Sequence, residues 1–328
     1  MRLWRTSLIF SLVTLLITAG SLEAAFTVRN GKFINAKDLA TKPVQEHYSL
    51  GMKAYHAKKW KEAVSQLRIV VASFPGTSFA KDAEFYLAES YFHLEDYDFA
   101  NQHADNYLKQ QNNLKHFEQA ICLKFVIAER FRHGSCRRIL GSEQLPRMLA
   151  GWDLALIIYD EVIAALPSHD IAARAMFSKA RLLLEMKEYR ESIDTLQLLI
   201  KQFPKHEFTP ESYVRIAKIY AKQCSVEPQN PDILALAEIN ALKFKQHFPN
   251  EERIPQVDEC VMVIKEIHAR GLYETGQFYE RIKKPGASVI FYYSALKQFP
   301  DTAIADACKE RLRSLKKFSE AFPAEDVL

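Results

Sequence analysis

Gly51-Met52-Lys53-Ala54-Tyr55-His56-Ala57-Lys58-Lys59-Trp60-Lys61-Glu62-Ala63-Val64-Ser65-Gln66-Leu67, closing at Phe74-Pro75, is the stretch that decides the fold. A small residue, Gly51, is followed by an aromatic, Trp60, a second small residue, Ala63, a large apolar one, Leu67, and a proline, Pro75. Ala180, Tyr189, Ser192, Leu196 and Pro204 repeat the word at the same spacing. A third copy, Gly276, Ser288, Tyr292 and Pro300, carries Pro285 at the aromatic position, and a fourth, Ala88, Tyr97, Ala100 and Ala104, lacks the final proline.

Each copy reads as two helices. Leu50, Ala54 and Ala57 recur at helical spacing, Lys58-Lys59 interrupts, and Trp60, Ala63, Val64, Leu67, Val70 and Val71 resume the rhythm of an amphipathic helix. Pro75 stops the second helix, having no N–H to donate and clashing with the preceding turn. Gly51 is expected to lie opposite Ala63, so that two antiparallel helices approach closely. Such a helix pair of roughly 34 residues resembles the tetratricopeptide repeat.

The closing dipeptide returns as Leu166-Pro167, Phe203-Pro204, Phe248-Pro249 and Phe299-Pro300. A third unit joins a first helix around 114–131 to Trp152, Ala155 and Tyr159. A fifth joins Ala217 and Tyr220 to Ala237 across a long turn at 224–231. The expected fold is an all-α tetratricopeptide-repeat superhelix, an α-solenoid of about six hairpins plus a capping helix over 303–317. Single repeats cannot bury their apolar face alone, and stacking makes one continuous core.

The amino terminus is different. Arg2 and Arg5 precede an apolar run over 8–17 and then Gly20-Ser21-Leu22-Glu23-Ala24-Ala25. This is the pattern of a secretory signal peptide cleaved after Ala24, with an uncleaved anchor as the alternative. The expected organisation is a signal peptide at 1–24, an extended segment at 25–44, the repeats at 45–320 with an insertion near 134–150, and a tail at 321–328. Arg130, Arg132, His133, Arg137, Arg138 and Arg147 fall in or beside the insertion and are expected to be a solvated loop. An acidic partner or anionic lipid head groups are the alternative.

Composition narrows the function. Lys and Arg total 44 against 40 Asp and Glu, a net charge of +4, too little to imply nucleic-acid binding. Cys122, Cys136, Cys224, Cys260 and Cys308 lack C-x-x-C spacing, and no zinc site is expected. Cys122 reads as core, and Cys136 and Cys224 as loop residues open to oxidation after export. His206-Glu207 continues as Phe208-Thr209-Pro210, so it is no zinc-protease helix. Phosphate loops, nucleophile elbows and dinucleotide fingerprints are missing. The chain is expected to bind rather than catalyse, with no cofactor and no metal.

The stretch from Ile267 through Arg270, Tyr273, Gln277 and Arg281 to Asp301 and Ala307 resembles the last repeat of the BamD (ComL/YfiO) family, the tetratricopeptide component of the outer-membrane β-barrel assembly machine. Residues 46–112 are similar to that family's first two repeats. Two departures stand out: an extra unit, and Ser21 where the family carries a lipidated cysteine. Serine cannot form the thioether, so the protein is expected at the inner face of the outer membrane through partners, or free in the periplasm.

The resemblance implies an amino-terminal groove for unfolded outer-membrane proteins ending in an aromatic residue, and a carboxy-terminal surface for a BamA-like subunit. On the first helix, Tyr48, Met52 and Tyr55 form one stripe, and Phe85, Glu89 and Phe92 repeat it on the third. Packing between repeats is the alternative use of these rings. The matching docking surface is Lys265, Arg270, Tyr273, Gln277 and Arg281. The lysine-asparagine clamp of cytosolic chaperone adaptors is missing, since Tyr48, Met52, Tyr86 and Glu89 stand at the groove positions. A periplasmic scaffold for cell-wall, envelope or secretion machinery is the other binding function open to such a chain.

Overall fold

The helix pairs share one local chemistry. In four of them the first helix ends on a residue in the left-handed region: Lys58 (φ 56°), Glu95 (φ 59°), Lys187 (φ 68°) and Lys283 (φ 59°). At each, the following N–H reaches back across the last turn, as from Lys59 to the Ala54 carbonyl (2.9 Å) and from Glu188 to that of Leu183 (2.9 Å). This is the Schellman closure, which satisfies carbonyls otherwise orphaned at a helix end. The next residue, Trp60, Tyr97, Tyr189 or Pro285, begins the second helix. Pro285 can replace the aromatic because the first helical position needs no N–H.

Second helices end as regularly. Phe74, Leu166, Phe203, Phe248 and Phe299 occupy C-caps with extended φ, from −125° to −137°, ahead of their prolines. Thr77 and Thr302 then donate to the carbonyls of Phe74 (2.9 Å) and Phe299 (2.8 Å), while capping the next helix by accepting from the N–H of Ala80 and Ala305.

This computed structural model describes residues 26–29, 32–35, 38–110, 115–141, 143, 145–228 and 230–315. The expected signal peptide, Ser21 and the tail at 321–328 lie outside them. Among the described residues there are thirteen helices, six consecutive pairs and a last one, in a chain that divides into two compact units.

The first unit, 1–130 with 136–150, opens on an antiparallel pair, β1 (Phe26–Arg29) and β2 (Lys32–Asn35), within the segment expected to be extended. Then come α1 (Val44–His56), α2 (Trp60–Ser73), α3 (Ser78–His93), α4 (Tyr97–Leu108) and α5 (Phe117–Arg132). Each of α1 to α3 packs on the next, and α1 also touches α3, the neighbour pattern of stacked repeats. Ala63, Leu67, Val70, Ala83, Leu87 and Ala88 are completely buried. A Cβ on Gly51 would come within 2.7 Å of Leu67, so the close approach expected against Ala63 is made one turn further on.

The insertion is a hairpin rather than a loop: β3 (Cys136–Arg138) pairs antiparallel with β4 (Arg147–Ala150), Arg137 facing Leu149. Cys136 therefore sits in a strand.

The second unit, 131–135 with 151–328, holds α6 (Trp152–Ala165), α7 (Asp170–Glu185), α8 (Tyr189–Gln202), α9 (Phe208–Val226), α10 (Pro231–His247), α11 (Ile254–Arg281), α12 (Pro285–Gln298) and α13 (Ala303–Ser314). Sequential packing continues through it, with α7 on α9, α9 on α11 and α11 on α13. One apolar cluster runs from Met176 to Ile264 and a second from Val289 to Leu312. The 28-residue α11 contributes to the first and packs along α12 and α13, which build the second. Cys224 is inside α9 and completely buried, not in a loop, because α9 runs on to Val226. This is the all-α tetratricopeptide-repeat solenoid fold expected from the recurring word.

Candidate peptide-binding groove and docking surface

The first helices of the first unit bring together most of the expected aromatic stripe. Tyr48 packs against Phe79 (centroids 5.1 Å), and burial raises its pKa to about 12. Met52 is half-buried one turn along. Tyr55 donates its hydroxyl to Glu89 across the first and second repeats (2.5 Å) and lies edge-on to Tyr86 (5.0 Å). Burial first, and then that carboxylate, push the Tyr55 phenol upward. Phe92 is half-buried, with the Arg130 guanidinium 5.9 Å above its ring.

Phe85 does not belong to the groove. It is 3% exposed, stacked on His116 (4.4 Å) and against Tyr107 (5.5 Å). Positions one residue apart on a helix differ by about 100°, and it is Tyr86 that turns toward Tyr55. Beyond Glu89 and Phe92 the surface opens into a cavity of about 710 Å³, lined also by Lys115, Phe117, Glu118, Gln119, Cys122, Leu123 and Val126. Sequence reasoning missed Lys115 and these residues of α5. Ala120, Ile121, Ile127 and Ala128 are buried, leaving Cys122 and Val126 on the opposite, exposed face. That phase could have corrected the reading of Cys122 as core. The floor combines apolar side chains with carboxylates and one lysine, suited to a peptide with an apolar or aromatic anchor.

The expected docking residues all lie on α11, but they differ in availability. Lys265 is paired with Glu238 (3.1 Å), and Tyr273 packs on Tyr292 (5.4 Å). Arg270 and Arg281 are exposed, and Gln277 is half-buried. Phe278 and Ile282, on either side of Arg281, and Ile290 on α12 are exposed apolar side chains.

The expected basic loop is also reassigned. Arg137, Arg138 and Arg147 pair with Asp98 and Asp96, and Arg132 is buried, with Glu185 at 3.7 Å. Among the described residues, no group of three or more His, Cys, Asp or Glu side chains could hold a metal ion, and no helix is long and apolar enough to cross a membrane.

Residues 40–137 match the family model "YfiO: Outer membrane lipoprotein", and residues 174–206 match a tetratricopeptide-repeat model. No curated protein matches significantly. Similar solved structures include MamA from Desulfovibrio magneticus RS-1, at 14% identity and TM-score 0.35, covering 64% of this chain and 97% of that one. The apo form of RapI is 15% identical at TM-score 0.34, covering 85% of this chain and 99% of that one. Both matched families are protein-binding rather than catalytic. Over residues 40–137 the chain is thus similar to the YfiO outer membrane lipoprotein family, the family its sequence resembles, within an all-α tetratricopeptide-repeat fold.

Proposed function

We propose that the protein is a non-enzymatic, envelope-located scaffold of the BamD type. Its groove receives unfolded outer-membrane proteins, and its last repeats dock a BamA-like subunit during β-barrel insertion. The observation that carries this reading is the groove itself. Tyr55 meets Tyr86 across two successive repeats inside the YfiO-matching segment, Tyr48 lies on the same helix as Tyr55, and Phe92 with Glu89 lines the cavity along α5. Aromatic walls bury much area at little rotamer cost, which suits a client recognised by aromatic residues. Export would be by the amino-terminal leader, and membrane association would be indirect, through partners.

On α11, Arg270 and Arg281 with Phe278 form the face offered to the second partner; Lys265, Tyr273 and Gln277 border it. Affinity capture from detergent-solubilised envelopes tests the whole reading. Co-purification of the β-barrel assembly subunit is expected. Recovery of cell-wall or secretion components in its place would assign the chain to the other periplasmic scaffold function.

A further inference from the structure

The β3–β4 hairpin is bonded to more of the first unit than an inserted loop needs to be. Asp96, 6% exposed in the turn between α3 and α4, accepts from Arg138 Nη2 (2.5 Å) and Nε (3.1 Å) and faces Arg147 Nη2 (3.4 Å). Asp98, two residues on, accepts the backbone N–H of Arg138 (2.6 Å) and Arg137 Nε (3.3 Å). Arg147 also donates to the Glu95 carbonyl. Between the strands, Glu143 accepts from Arg68 of α2 (2.5 Å) and from the Tyr91 hydroxyl of α3 (3.3 Å). Arg68 in turn holds Asp38 (2.8 Å). Arg138 Nη1 donates to the carbonyls of Glu143 and Leu145 (3.0 and 3.1 Å), so one guanidinium both shapes the hairpin and anchors it.

The hairpin therefore grips the first repeat through Arg68 and the second through Asp96 and Asp98, and it continues by chain from α5 of the third. In stacked repeats each unit touches only its neighbours, so the angle at each junction is the soft coordinate. The groove sits across one such junction. Tyr55–Glu89, Tyr55–Tyr86 and the stack of Trp60 on His93 (4.1 Å) all cross from the first repeat to the second. Partly buried arginine-carboxylate forks are directional and poorly screened, which suits them to holding an angle.

We propose that the hairpin is a cross-brace: Arg138 with Asp96, and Glu143 with Arg68, are positioning residues that hold the first two repeats at the angle the peptide groove requires. The binding part of this inference rests on the groove reading above; the bracing part does not.

The test uses full-length protein with Trp4→Phe and Trp152→Phe, leaving Trp60 as the fluorophore and His93 as its stacked quencher. Arg138→Ala, Arg138→Lys and Glu143→Ala are compared in Trp60 emission and in affinity for a synthetic peptide with a carboxy-terminal phenylalanine. Both alanine variants are expected to shift emission toward that of a His93→Ala control and to weaken the peptide by roughly three- to thirtyfold. Arg138→Lys, which keeps a cation beside Asp96, recovers part of both. Unchanged emission and affinity in folded alanine variants would overturn the brace. If the parent protein does not bind the peptide, the groove reading falls and emission alone decides the brace. Should Arg138→Ala fail to fold, Glu143→Ala, at an exposed position, carries the comparison.

Discussion

Lys187 closes α7 in the left-handed region, where a Cβ crowds the following carbonyl at a cost of roughly 1–2 kcal/mol. Glycine removes that crowding but brings about 0.5–1 kcal/mol of unfolded-state entropy. Lys187→Gly is therefore expected to stabilise the protein by up to about 1 kcal/mol, read as a higher urea midpoint. Gly276 shows the opposite case. A Cβ there would stand 2.5 Å from the Tyr292 ring, and Tyr292 is buried with its hydroxyl held by Glu280 (2.6 Å). Gly276→Ala should cost about 1–3 kcal/mol, as should Ala63→Leu at a completely buried position in the first repeat. Unmoved melting curves would show that these helix pairs yield to added volume. His268 has a buried Nε2 without a hydrogen-bond partner, and burial lowers its pKa from the ordinary 6.5. The unfolded chain then takes up this proton first as pH falls through 6.5, so stability is lost on acidification. His268→Gln should lose less stability than the parent between pH 8 and pH 5.5, measured by denaturant titration at both.

At the scale of elements, the helices were legible because a local rhythm and local stop signals specify them. An apolar residue followed by proline ends five of the six second helices, and Thr302 shows how the next helix begins, accepting from the N–H of Ala305 (3.2 Å) in a buried turn. Thr302→Ala should cost about 1 kcal/mol, visible as a lower melting temperature. Truncation after Asp301 should cost more, since α13 covers Val289, Tyr292 and Leu296. Terminal repeats need a polar outer face, so light scattering should report aggregation of the truncated chain. The β3–β4 hairpin was not legible. Its strands are short, β4 has no alternation of burial, and the carboxylates that fasten it lie about forty residues earlier. The same blindness turned three anchoring arginines into an apparent basic loop.

At the scale of the whole molecule, the near-balanced charge of +4 leaves apolar and aromatic contact as the main source of affinity for a peptide client. Tyr55→Ala with Phe92→Ala should weaken a peptide ending in an aromatic residue, each lost anchor costing about 1–3 kcal/mol at a hot spot. Calorimetric titration checks this, and unchanged affinity in a folded double variant would assign both rings to packing. Phe85→Ala belongs to a different class: it should lower stability through lost burial against Tyr107 and His116, with any loss of affinity following from unfolding. Half of the groove was visible in advance because Tyr48, Met52 and Tyr55 share a face of one helix. The α5 wall was not, because a groove needs two neighbouring helices and only stacking says which face of α5 meets α3.

What the sequence determined by itself was the unit and its repetition, since small residues, a helix-starting aromatic or proline, and a closing Phe-Pro act over neighbouring turns of the chain. Only the tertiary structure decided that Phe85 packs inward while Tyr86 faces the groove, that Gly51 meets Leu67, and that the insertion folds into a hairpin. Those choices depend on which side chains meet across helices, and such contacts join residues far apart in sequence whose pairing no local rhythm encodes.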